Sequence, residues 1–159
     1  MNNNNTTLNL TDADVNKLIS LTKEVLKEYE IKLTDRAKGD IKITLINSDE
    51  YFILNYFIRP GSVILNFRET QYNLCLIRLN LNDNFHKNSD NTRVYGNRIN
   101  IYSQQEFNLK ADHSSYMVAH KLPYKNFPDS RNFMDQLFIL LEYTNTVYDD
   151  KISIEPSLF

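Results

Sequence analysis

The fold of this chain is decided by residues 62–102, which read SVILNFRETQYNLCLIRLNLNDNFHKNSDNTRVYGNRINIY. Successive residues of a β-strand point to opposite faces of a sheet, so odd and even positions define two faces. The odd positions are apolar: Val63, Leu65, Phe67, Cys75, Ile77, Leu79, Leu81, Ile99 and Ile101. The even positions carry Asn66, Arg68, Arg78, Asn80, Arg98, Asn100 and Tyr102. This pattern predicts a hairpin and a third strand that share one apolar face and one face rich in Arg and Asn.

The flanking sequence adds further strands and two helices. Residues 41–46 and 51–58 read as strands, and residues 116–122 as a last short one. Thr11 and Asp14 form a near capping box that predicts a helix over 12–29, and Asp129 or Ser130 is expected to cap a second helix that runs to about 144. Short turns join the strands, so we expect them to be antiparallel. The prediction is an α+β fold, an antiparallel sheet of about five or six strands with an N-terminal and a C-terminal helix packed on its apolar face.

The length of 159 residues fits one domain, which we place at 11–148, after a disordered leader at 1–10 and before a tail at 149–159. The one cysteine, Cys75, excludes an intrachain disulfide, and its odd position predicts a buried thiol in a reducing, cytoplasmic setting. No apolar run is long enough for a membrane helix. No phosphate loop, dinucleotide fingerprint or metal-ligand motif is present, so we expect no cofactor and no metal.

Charge is unevenly distributed along the chain. The formal net charge is −2, yet residues 56–102 carry 6 Lys/Arg against 3 Asp/Glu, between two acidic flanks. This balance argues against a dedicated nucleic-acid-binding protein and allows a local basic patch.

The polar strand face is the main candidate for a functional surface. Antiparallel sheets often have a solvated outer face, but Asn is a poor strand former and Arg offers a planar fork of donors for carboxylate or phosphate. Beside this face we expect the polar loop over 82–93, with His86 in it. The predicted partner-binding residues are Asn66, Arg68, Arg78, Asn80, His86, Arg98, Asn100 and Tyr102. His113 and His120 lack the spacing of a metal site.

Three short segments of this region resemble a functionally uncharacterised family of small Gram-positive and phage proteins. The segments are Ile77-Arg78-Leu79-Asn80, His86-Lys87-Asn88-Ser89-Asp90 and Arg98-Ile99-Asn100-Ile101-Tyr102. The family pattern has Gly where this chain has Asn91, and two histidines where it has Arg98 and Asn100. If those histidines serve chemistry in the family, this chain lacks it, so the resemblance implies binding rather than catalysis.

Three functions follow as hypotheses. The preferred one is a small cytoplasmic protein-binding module that acts through the polar face, by analogy a phage or mobile-element inhibitor of a host defence enzyme. The alternative is a metal-independent endoribonuclease toxin in which His86 or His120 moves protons while Arg78 and Arg98 stabilise the phosphate. The third is a nucleic-acid-binding regulator. A homodimer formed through the same face is also possible.

Overall fold

The computed structural model of the protein describes residues 8–110, 112 and 114–156. Its helices are α1 (Asp12–Ser20), α2 (Gln104–Leu109) and α3 (Phe133–Tyr143). Its strands are β1 (Lys23–Glu24), β2 (Tyr29–Lys32), β3 (Ala37–Leu45), β4 (Tyr51–Arg59), β5 (Ser62–Glu69), β6 (Cys75–Leu81), β7 (Phe85–Lys87), β8 (Arg93–Tyr95), β9 (Arg98–Tyr102), β10 (Met117–Lys121), β11 (Thr146–Val147) and β12 (Ile152–Glu155).

The predicted α+β class is confirmed, whereas the predicted sheet is too small. Within the described residues the main sheet has eight strands in the order β10-β9-β6-β5-β4-β3-β1-β11. All neighbouring pairs are antiparallel except β1 and β11, which are parallel. Strand β1 lies near the start of the described residues and β11 near their end, so no local sequence pattern predicts that the two strands pair. Two further pairs, β2 with β12 and β7 with β8, form small separate sheets.

Helix α1 begins as predicted and ends nine residues earlier. Thr11 and Asp14 form the capping box: each backbone N–H donates to the other side chain, at 2.9 and 3.0 Å. The helix stops at Ser20, whose hydroxyl donates to the Lys17 carbonyl. Residues 23–24 then pair with both β3 and β11. The predicted helix over 12–29 is therefore wrong beyond residue 20, because strand pairing overrides the helical spacing of the apolar residues that follow.

One buried cluster forms the core between the sheet and the helices. It unites the apolar residues at odd positions of β5, β6 and β9, except Cys75, with Val15 of α1 and with Leu137, Leu140 and Leu141 of α3. The ring of Tyr56 in β4 lies 5.3 Å from the ring of Phe133, which brings the start of α3 against this face. Helix α3 is capped by Asn132 rather than by Asp129 or Ser130, because the Asn132 side chain accepts from the Asp135 N–H.

A β-bulge moves one residue to the other face. Phe67 pairs with Ile77, whereas Arg68 pairs with Cys75, so Leu76 is an extra residue on β6. Leu76 is fully buried in the core cluster, and the Cys75 thiol lies on the polar face, with its sulfur 3.8 Å from Asn66 Oδ1. The expectation that Cys75 shares the apolar face is therefore wrong, although its burial is confirmed.

Three segments outside the predicted helices and strands carry secondary structure. The 82–93 stretch contains β7 and leads through a turn into β8, 103–115 contains α2, and β12 lies within the stretch assigned to the tail. At the other end, residues 1–7 of the expected leader lie outside the described residues, and Leu10 is buried, with its carbonyl accepting from the Tyr102 hydroxyl at 2.6 Å. No helix in the described part of the chain is long and apolar enough to cross a membrane.

Candidate functional site: a cationic cavity and groove on one sheet face

The register of the strands aligns the residues of the polar face into rows across the sheet. One row runs from Lys38 through Phe57, Ile64 and Asn80 to Arg98. Directly paired residues of antiparallel strands point to the same face. The row therefore lies on the face opposite the core, and it connects the β3 and β4 side of the sheet with the β9 side.

A cavity of about 300 Å³ lies on this face. It brings together five of the predicted site residues, Arg78, Asn80, His86, Arg98 and Asn100, and adds Ser115, Tyr116 and Met117. The outer strand face is thus not an open, solvated surface at this end. Arg98 and Asn100 are only 6% and 7% exposed, because the β7–β8 ribbon covers them.

Arg98 attaches that ribbon to the sheet. Its Nη1 donates to Asn82 Oδ1 at 2.9 Å and to the carbonyls of Asn84 and Gly96 at 3.1 and 2.9 Å. Hydrogen bonds to a charged group are stronger than neutral ones, so one guanidinium holds both ends of the ribbon. Arg98 is therefore a wall of the cavity as well as a possible ligand contact.

Two more side chains hold the ribbon against β10 and α2. The Asn88 amide donates to the Ala119 carbonyl at 3.1 Å and accepts from the Ala119 N–H at 2.9 Å. The buried Glu106 carboxylate accepts from the Ser89 N–H and hydroxyl, both at 2.7 Å. These contacts fix the position of His86, which lies in β7 between Asn82 and Asn88.

The cavity is positively charged. In the described part of the chain, neither Arg78 nor Arg98 forms a salt bridge. Burial lowers the pKa of Arg98, and the charge of Arg78 lowers it further. Burial also lowers the pKa of His86, with Lys110 and Arg98 acting in the same direction and Glu106 opposing them. His86 is therefore neutral near pH 7 unless an anion enters.

A second concave region, which we call the groove, adjoins the cavity through Arg78. It measures about 510 Å³ and is lined by Arg36, Ala37, Lys38, Phe57, Ile58, Arg59, Ile64 and Arg78. Four of these residues are cationic and none is a carboxylate. Phe57 is 43% exposed, which is unusual for a phenylalanine on a sheet.

Other predicted residues lie outside both regions. Arg68 donates to the Asn73 carbonyl at 2.9 Å, and Asn66 is buried beside Cys75. Tyr102 is 5% exposed and belongs to the core cluster, so its ring is not on an accessible face. His120 pairs with Ile99 on the core face and stacks on Tyr124 at 4.5 Å, away from His86. His113 lies outside the described residues.

Sequence reasoning missed Arg36, Lys38 and Arg59. Lys38 pairs with Phe57 across β3 and β4. To find this pair from the sequence, one would have needed the register of the β3–β4 hairpin. Ser115 and Tyr116 carried no recognisable pattern.

These features define a small α+β protein with a cationic cavity and groove on one sheet face. A model of a family of unknown function, DUF6978, matches residues 10–146, and the chain belongs to this family. Membership agrees with the predicted uncharacterised family, whereas the short motifs and the phage or Gram-positive origin stay predictions. No curated protein and no solved structure matches the chain.

Proposed function

We propose that the protein is a non-catalytic binding module that holds an acidic, partly apolar segment of another protein in the groove. The observation that carries this proposal is the composition of the groove, in which four cationic side chains line the same region as the exposed Phe57 and the half-buried Ile64, with no carboxylate among them. An apolar side chain of the partner would pack on Phe57 and Ile64, while neighbouring Asp or Glu residues would meet Arg36, Lys38 and Arg59. Such a pairing of complementary charges around a central aromatic residue is typical of protein interfaces.

The charge distribution favours a protein segment over a nucleic acid. The whole chain has a net charge of −2, so it offers a long polyanion no general attraction outside the groove. Base stacking needs several exposed aromatic rings, and Phe57 is the one aromatic residue that lines the groove. A short acidic segment needs only the local patch.

Because Arg98 is buried and has a structural role, binding is tested at the groove and not over the whole polar face. Charge reversal at Arg98 would release the ribbon that its Nη1 holds, so loss of binding would not report on the surface. Arg36, Lys38 and Arg59 are exposed and line the groove, so their reversal leaves the core intact. The test variant is therefore Arg36→Glu, Lys38→Glu and Arg59→Glu. Its matched control is Lys17→Glu, Lys27→Glu and Lys32→Glu, which makes the same charge change at exposed positions elsewhere.

The experiment is a display selection of random peptides on the immobilised protein, followed by titration of the enriched peptides. We expect enriched peptides to combine Asp or Glu with a large apolar residue, to bind the control variant as tightly as the wild type, and to lose binding to the groove variant. Enrichment without acidic residues, or equal binding to both variants, would overturn the proposal.

The biological consequence that we propose is occlusion of the partner, as by an inhibitor from a phage or mobile element acting on a host defence enzyme in the cytoplasm. This step rests on analogy with small proteins that lack catalytic motifs. It is tested when the peptide consensus identifies a natural partner, whose activity should fall on addition of the wild type and not of the groove variant.

One observation favours a second candidate, the endoribonuclease. His86, Arg78 and Arg98 do share the cavity, as that mechanism requires. His120 pairs with Ile99 on the other face, so of the two predicted histidines His86 is the one that lies beside both arginines. Cleavage of labelled RNA by the wild type and by His120→Ala, but not by His86→Ala, would establish this function in place of the first.

A further inference from the structure

Three residues that line the cavity each have a buried polar atom that lacks a partner. Among the described residues, none hydrogen-bonds to His86 Nε2, Arg98 Nε or Asn100 Oδ1. All three residues line the same cavity. Leaving a buried donor or acceptor unpaired is unfavourable, so three such atoms on residues around one cavity point to a ligand that completes the site.

The free edge of Arg98 determines what kind of group can enter. Nη1 is already engaged by three oxygen acceptors, so the Nε–H and Nη2 edge is the part of the guanidinium that remains for a ligand. This edge presents two parallel donors, which match two oxygens of one phosphate or carboxylate. Arg78 uses its Nε for Asn80 Oδ1 and keeps both Nη groups.

The number of donors and the charge favour phosphate over carboxylate. Two guanidinium groups and His86 line the cavity without a lining carboxylate, and a dianion with three terminal oxygens balances them better than a single negative charge. Asn100 Oδ1 would accept from a hydroxyl or N–H next to the phosphate. The cavity volume of about 300 Å³ is at the lower end of small-ligand sites, which suits a phosphate group with the rest of the ligand outside the cavity.

We propose that this cavity binds a phosphate monoester, with Arg98 and Arg78 gripping its oxygens and His86 and Asn100 completing the site. The group could belong to a free small molecule or to a phosphorylated side chain, since the recognised chemistry is the same. The site shares Arg78 with the groove, but Arg36, Lys38 and Arg59 do not line the cavity, so substitutions at these three residues test the groove separately.

The test titrates inorganic phosphate and sulfate into the full chain at constant ionic strength, using chloride as the reference. Binding is followed by the NMR signals of the His86 ring and the Asn100 side-chain amide, and by the rise of Tm. Saturable shifts of both signals with phosphate, absent with chloride, are expected. Absence of saturable shifts at millimolar phosphate would overturn the proposal.

Three variants test the geometry without touching the Arg98 anchor. Arg78→Gln should weaken phosphate binding about tenfold or more, since a charged hydrogen bond is lost. Asn100→Asp is isosteric and places a carboxylate beside the two guanidiniums, so it should abolish phosphate binding and raise Tm. Arg68→Gln, on the same face but outside the cavity, should bind as the wild type does. Wild-type affinity in both Arg78→Gln and Asn100→Asp would refute the site even if phosphate bound elsewhere.

Two further ligands distinguish the sources of the phosphate. Tighter binding of N-acetylphosphoserine amide than of AMP would support the site and assign it to a phosphorylated side chain. The reverse order would support the site and assign it to a free nucleotide. The groove variant should retain phosphate binding in either case, so failure of the peptide proposal and failure of this one remain distinguishable.

Discussion

The side-chain amide of Asn88 makes the two hydrogen bonds that a neighbouring strand would make to Ala119. It accepts from the Ala119 N–H and donates to the Ala119 carbonyl, and Ala119 lies in the edge strand β10. Exposed edges of sheets are prone to pair with other chains. One amide thus blocks the edge at its middle residue and ties the β7–β8 ribbon to it.

Replacing Asn88 should destabilise the protein and free this edge. Asn88→Asp keeps the size and the acceptor but removes the donor, so we expect a loss of about 2 kcal/mol in the free energy of unfolding. Urea unfolding measures the loss, and Asn84→Ala, an exposed side chain of the same segment, is the control. Amide exchange at Ala119 should accelerate in Asn88→Ala, which also removes the acceptor of the Ala119 N–H. Unchanged exchange there would show that the amide does not protect the edge.

Lys23 should make stability rise between pH 8 and pH 9.5. Its side chain is fully buried, and Nζ donates to the carbonyls of Ile19, Leu21 and Thr144 at 2.7–2.9 Å, which joins the carboxyl ends of α1 and α3. Burial lowers the pKa of Lys23 to about 8. The unfolded chain, with a lysine pKa near 10.4, binds more protons in this window, so the free energy of unfolding increases with pH by up to about 2 kcal/mol at pH 9.5.

The measurement for Lys23 is urea unfolding at pH 7, 8 and 9.5. Lys23→Met should be less stable than the wild type at every pH, because three carbonyls lose their donor, and it should lack the rise. Lys27→Met, at an exposed position, should retain it. A rise of equal size in Lys23→Met would assign the effect to other groups.

His86 should couple anion binding to pH. Burial and the charges of Lys110 and Arg98 lower the pKa of His86, Glu106 opposes them, and a bound dianion would raise it. Binding then takes up a proton, so sulfate, which keeps its charge in this range, should bind more tightly as pH falls from about 7.5 to about 5.5. The free protein should lose stability below about pH 6.5, since there the unfolded chain binds more protons.

Calorimetric titration with sulfate at several pH values checks the His86 prediction. His86→Gln should remove the pH dependence of affinity, and His120→Gln, which changes the histidine on the core face, should leave it. The same slope in all three proteins would exclude His86 as the titrating group.

Gly39 should tolerate no side chain. A Cβ there would lie 2.7 Å from Cζ of Tyr56, and that ring is held against Phe133. Gly39→Ala should therefore lower the free energy of unfolding by about 1–3 kcal/mol through overpacking. In a Tyr56→Val background the same substitution should have a much smaller effect, and an undiminished effect would exclude the steric explanation.

Local patterns predicted the faces of the sheet well. Residues such as Leu79 and Asn80 alternate because each strand packs one face on the core, and this constraint acts within a few residues. The capping box of α1 was predictable for the same reason, since Thr11 and Asp14 satisfy each other.

Non-local pairing accounts for what the sequence did not predict. The end of α1 depends on the pairing of Lys23 with Thr146, far along the chain. The polar face was expected to be open, and it is closed at one end because Glu106 holds Ser89 and Asn88 holds Ala119. Each of these residues is an ordinary polar residue in the sequence, and its role depends on a partner that the sequence alone does not identify.

The bulge at Leu76 makes the alkylation rate of Cys75 a measure of how often β6 opens. It places the Cys75 thiol in a buried site on the polar face, where burial raises its pKa to about 11. Thiol reagents attack the thiolate, so the native protein should react slowly at neutral pH, and labelling should proceed through transient unfolding of β6. Because the chain has a single cysteine, the rate of alkylation follows that one opening without any added probe.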